Sequence, residues 1–167
     1  MRRRILTVLI IVTIAFIWIH SMIQTEISAQ ESGWVMELIR PFLELFAGKG
    51  MVTQHMVRKL AHFSEFFLLG AELMLYGMFF SKGGRVKDGR RAAAVFLKSA
   101  LFGLAAAAVD EIIQIFAKRG PQVKDVLLDF TGVLAGTLLI ILICGIAGRI
   151  RNRHEKEERW QEKQTRS

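Results

Sequence analysis

The chain has a single cysteine, two prolines and one tyrosine among 167 residues, and fewer than a quarter of its residues are charged. One cysteine, Cys144, closes no internal disulfide and supplies no cysteine-based metal framework. Its neighbours Leu142, Ile143, Gly145 and Ile146 mark it as an inert apolar filler. Scarce charge over one domain's length, with 52% hydrophobic residues, excludes a soluble multidomain enzyme. No internal repeat of the inverted-transporter kind is visible, and no recognised nucleophile motif is present. The longest absence is local: no charge falls between Ile5 and Ile19.

That charge-free run, extended through Ile23, is long enough to cross a bilayer core. Arg2, Arg3 and Arg4 before it also resemble the basic start of a secretory signal. The nearest cleavage-like tripeptide, Ile27-Ser28-Ala29, fits that pattern poorly, so an uncleaved span is expected. Three more apolar segments follow at about 60–80, 92–117 and 126–150. The second carries His62, Glu65 and Glu72, the third Lys98, Asp110, Glu111 and Gln114, and the fourth Asp129. The expectation is an all-α, four-span membrane bundle over residues 1–150, with a charged tail at 151–167 that extends span four into solvent and frays into disorder. Between spans one and two, apolar residues at 34, 35, 38, 42, 45 and 46 fit one helical face, so segment 24–57 should contain an interfacial amphipathic helix.

The net charge of +8 reads mostly as topology. Three basic residues precede span one, five lie between spans two and three, and seven follow from Arg149 onward. Lysine and arginine accumulate on the cytoplasmic side, so both termini should be cytoplasmic. Nucleic-acid binding is not expected, because the basic residues are spread over separate segments without a shared aromatic platform.

With that orientation, the ionisable residues gather at the outer ends of the spans: Arg58, Lys59, His62 and Glu65 in span two, Asp110, Glu111 and Gln114 in span three, Asp125 and Asp129 in span four. Charge inside a membrane is expensive enough that such groups face protein, water or a partner. Arg58, His62, Glu65, Leu69 and Glu72 share one face by helical spacing, as do Asp110 and Gln114, and as do Asp125, Asp129, Gly132 and Gly136. Gly132 and Gly136 form a GxxxG, and Gly103 lies on a small-residue face of span three. Spans two, three and four should therefore pack tightly around a polar pocket open to the outside, with charge-free span one peripheral. Whether the GxxxG serves packing within the chain or between copies in a homo-oligomer stays open.

The bland reading of the cluster is a set of ion pairs fixing helix register, although desolvation makes many buried pairs a costly way to build a bundle. The functional reading gives His62 an acid/base role, with Asp110 or Glu111 orienting it. No metal and no cofactor are expected, since His62 and Glu65 are too few ligands and the other helices offer only carboxylates. Arg119, in Lys118-Arg119-Gly120-Pro121, suits an incoming phosphate or carboxylate. Such a ligand would be a lipid head group, a cell-wall precursor or a glycopeptide.

At these residues the sequence resembles the VanZ-like family of small bacterial membrane proteins, named for a protein associated with teicoplanin resistance. The resemblance lies in Arg58-Lys59-Leu60-Ala61-His62-Phe63-Ser64-Glu65-Phe66, in Asp110-Glu111-Ile112-Ile113-Gln114-Ile115-Phe116, in Arg119, and in Asp125-Val126-Leu127-Leu128-Asp129-Phe130-Thr131-Gly132. The family pattern often has an aromatic residue at Glu65 or Phe66 and an asparagine at Asp129, so this chain carries an added carboxylate. The resemblance implies a four-span fold in the bacterial cell membrane and an envelope role, with lowered glycopeptide susceptibility as one form of it. Three activities follow as expectations: binding an envelope component or excluding a glycopeptide, processing a lipid or wall precursor with His62, or carrying protons or ions along the carboxylates.

Overall fold

A computed structural model describes residues 1–23, 37, 40, 41, 44, 45, 52–81, 86, 88–116 and 123–165. Among these, four long helices make up the fold: α1 (Arg2–Ile23), α2 (Gln54–Phe80), α3 (Gly89–Phe116) and α4 (Val123–Thr165). All four are long and apolar enough to cross a membrane. Between α1 and α2, Glu37, Arg40, Pro41, Glu44 and Leu45 are helical. There Arg40 Nε donates to Glu44 Oε1 at 3.1 Å, while the rest of the anticipated interfacial helix lies outside the described residues.

Side-chain polarity is inverted relative to a water-soluble bundle. Ile5, Val8, Ile11, Val12 and Phe16 of α1, Leu97, Leu101 and Phe102 of α3, and Leu138, Leu142 and Ile143 of α4 face outward. Thr13, Ser21, His62, Glu72, Ser99, Asp110, Gln114, Asp129 and Thr137 are buried. An apolar exterior on this scale is costly in water and favourable in lipid, which has no hydrogen bonds to offer the polar groups inside.

The helix α2 occupies the centre and packs against each of the other three. It begins at Thr53, whose hydroxyl accepts from the Met56 amide and satisfies one of the free N–H groups of the first turn. Its widest interface is with α4, and glycines make it possible. A Cβ on Gly132 would stand 2.6 Å from the Phe63 carbonyl oxygen, and one on Gly136 would overlap the Phe67 carbonyl oxygen. Gly70 reciprocates against the Val133 backbone. The GxxxG is thus used within the chain, bringing α4 onto α2 closely enough for backbone contact. Gly103 of α3 admits the Val133 side chain into the same layer.

Two departures from the sequence reading concern the ends of the chain. Helix α4 extends into the tail, as the sequence suggests, but stays helical to Thr165 instead of fraying. At 1.5 Å per residue it is about 65 Å long, roughly twice a bilayer core. Its final turns are polar apart from Trp160, with Arg151 Nε 3.8 Å from Glu155 Oε1 one turn on. Nor is α1 merely peripheral. Ile17 packs into the central cluster with Phe66, Leu69, Ala107 and Val133, and Ile10, Ile14 and Trp18 lie against it.

Candidate functional site

Because α1 carries no charge in its span, its attachment depends on small polar groups. Thr13 Oγ1 donates to Glu72 Oε1 at 3.1 Å, and His20 Nδ1 lies 2.7 Å from Glu65 Oε1. Both pairs are seven residues apart on each helix, so they form two rungs of one antiparallel register, about 10 Å apart along the axis. At the basic end, Arg3 Nε donates to the Tyr76 hydroxyl at 3.1 Å and its guanidinium lies over the ring. Glu65 and Glu72 therefore turn toward α1.

His62 turns toward α3 and α4. Its Nδ1 is 3.9 Å from Asp110 Oδ2, and one ligating atom each from His62, Asp110 and Asp129 lie within 4.8 Å of one another. Three helices meet here at the end of the bundle where α2 and α4 begin and α3 finishes. Gln114 Nε2 donates to Asp110 Oδ2 at 2.7 Å from one turn further along α3. From α1, the Ser21 hydroxyl faces Asp110. Above the centre, the His20 and His62 rings stack with centroids 5.9 Å apart, and Phe16 stacks on the far side of His20.

The centre is closed. Asp110 is 0% exposed, Asp129 3%, Gln114 6% and His62 7%. This differs from the expectation of a pocket open to the outer surface: the four polar side chains are buried. The accessible part is a charged rim, where Lys59 Nζ reaches Asp125 Oδ1 at 3.3 Å. Arg58 and Glu111 are half-buried in the same turns, and Lys124 is exposed. Arg119 lies outside the described residues.

The structure therefore gathers His62, Asp110, Gln114 and Asp129 in one buried centre, puts Lys59 and Asp125 in the rim, and assigns Glu65 to α1. Sequence reasoning missed His20, Ser21 and Thr13. A signal was available: the final turn of span one carries the only polar side chains near that end of the span, and His20 and Ser21 stand where the neighbouring helices are most charged.

A separate cavity of about 420 Å³ lies toward the basic end, lined in part by Val86, Asp88, Cys144, Gly145, Gly148 and Arg149. It shares none of the residues of the polar centre.

No curated protein and no solved structure matches the chain significantly. The model of the VanZ/LLP1 family matches residues 6–144, a stretch that begins in α1 and takes in the whole polar centre. With four helices of spanning length and a match over most of its sequence, the chain is a multi-pass membrane protein and belongs to the VanZ/LLP1 family.

Proposed function

We propose that this protein sits in the bacterial cytoplasmic membrane with both termini inside, and that its polar end engages a cell-envelope component at the outer leaflet. The observation that carries the reading is convergence: α1, α2, α3 and α4 all deliver polar groups to one end of the bundle. Random placement of charge in a span is selected against by its cost, so convergence at one depth supports use. The rim of Arg58, Lys59, Lys124, Glu111 and Asp125 meets water and suits a charged head group or wall precursor, while the centre beneath fixes the geometry of the rim. Arg119 is assigned to the same rim on its sequence position. The activity in view is lowered susceptibility to teicoplanin-type glycopeptides.

The test expresses wild type, His62→Ala and Asp110→Asn at matched membrane levels in a glycopeptide-sensitive Gram-positive host. Wild type should raise the inhibitory concentration of teicoplanin more than that of vancomycin, and both variants should return it to the host value. Variants as active as wild type would make the centre structural for this activity. A wild type without effect would remove the glycopeptide reading.

A second reading has its own observation. His62 backed by Asp110, with Asp110 held by Gln114, is the arrangement of a general base and its orienting carboxylate. Turnover of a membrane lipid extract by purified protein, lost in His62→Ala, is the result that would put this reading first.

A further inference from the structure

Burying two carboxylates with one imidazole between them leaves a charge balance to be met. Asp110 and Asp129 are both buried, and among the described residues no lysine or arginine forms an ion pair with either. Lys59 is committed to Asp125 and His20 to Glu65. A carboxylate in a low-dielectric interior costs several kcal/mol unless a proton or a cation neutralises it. The centre also contains unfilled hydrogen-bonding capacity. Asp110 Oδ1 has no partner although Oδ2 accepts from Gln114, and the fully buried Ser21 hydroxyl, which faces Asp110, completes no hydrogen bond.

We propose that His62, Asp110 and Asp129 form a divalent metal site of the zinc or manganese class, with a bound water in the remaining position beside Ser21. One nitrogen and two carboxylate oxygens are a donor set that such ions accept, and a fourth position kept for water is the pattern of a reactive site. A tetrahedral zinc holds its ligand atoms about 3.4 Å apart, so ligand atoms within 4.8 Å of one another close on an ion by side-chain rotation of about 1 Å. Asp110 Oδ1 is the oxygen left for the ion, because Oδ2 is occupied by Gln114. Gln114 and the His20 ring that stacks on His62 orient two of the ligands, as outer partners do in metal sites. The sequence argument against a metal set His62 and Glu65 beside other helices that offer only carboxylates. In the fold Glu65 belongs to α1, and the second and third ligands come from α3 and α4.

The site is tested on the full chain, purified in detergent with a tag free of histidine, stripped by chelator and titrated with Co²⁺ and Zn²⁺. Cobalt should bind at one equivalent per chain and give the visible bands of a four- or five-coordinate site, and zinc should displace it. Saturable binding should be lost in His62→Gln and Asp129→Asn and kept in Glu72→Gln, whose carboxylate is buried outside the centre. Gln114→Ala should weaken binding about tenfold to a hundredfold. Absence of saturable uptake by wild type overturns the site, and so does uptake unchanged in His62→Gln and Asp129→Asn. If neither ligand variant is recovered folded, the wild-type cobalt spectrum decides: nitrogen and oxygen ligation in a low-coordinate site supports the assignment, and the spectrum of hexaaquo cobalt rejects it. The readout is metal content, so it is independent of the susceptibility test, and either can fail without the other.

Discussion

Gly136→Ala should destabilise the protein by about 3 kcal/mol, whereas Gly148→Ala, the same chemical change in the same helix, should stabilise it by about 1 kcal/mol. Alanine is the better helix former at both positions, so the sign depends on what the new methyl meets. At Gly148 it meets nothing within 4 Å. At Gly136 it meets the Phe67 carbonyl oxygen, with the Ala71 nitrogen at 2.9 Å behind it. These are backbone atoms of the central helix and cannot rotate away. Relief requires α4 to move off α2, which gives up the close packing that holds membrane helices together where no hydrophobic effect acts between them. Gly136→Leu should leave no folded protein. Thermal midpoints in detergent, with the yield of monodisperse protein as a second readout, check the contrast; equal behaviour of the two alanine variants would show that the interface is looser than the structure has it.

The second large effect is expected at His20. His20→Leu should lower stability by about 3 kcal/mol, because it leaves the Glu65 carboxylate, only 12% exposed, without its partner on α1. The double variant His20→Leu/Glu65→Leu should recover most of that loss and end within about 1 kcal/mol of wild type. A hydrogen bond between membrane helices contributes only about 0.6 kcal/mol on average, whereas an unpaired buried acceptor bears the full desolvation cost. A single variant as stable as wild type, or a double variant worse than the single, would mean that this rung does not hold α1. Chemical denaturation of the three proteins in the same detergent makes the comparison.

Both predictions show where the sequence was readable. Span length and the GxxxG spacing are properties of one segment, and a glycine pair four residues apart has one physical use on a helix, close approach of another backbone. The gathering of charge at one end also followed from counting turns along each span. What could not be read was pairing across spans. His62 and Glu65 are one turn apart on α2, yet they serve different neighbours because α2 is surrounded on nearly all sides. Nothing in the spacing of α2 says which neighbour meets which residue. The role of α1 was hidden for a related reason: in a charge-free span, a threonine, a serine and a histidine are too weakly polar to mark a face, and their meaning lies in the carboxylates opposite. The burial of the centre likewise depends on how the helices pack against one another.

The central position of α2 has a consequence for how the protein is made. It has the lowest mean hydropathy of the four spans, 1.4 against 2.4 for α1 and α4, and it is the helix that keeps the least surface for lipid. As the nascent chain emerges, α2 reaches the bilayer with only α1 beside it, and His62 and the α4-facing backbone of Phe63 and Phe67 meet lipid until α3 and α4 arrive. Lateral release of α2 into lipid should therefore be slower than that of α1, and should be helped by the arrival of α3 and α4.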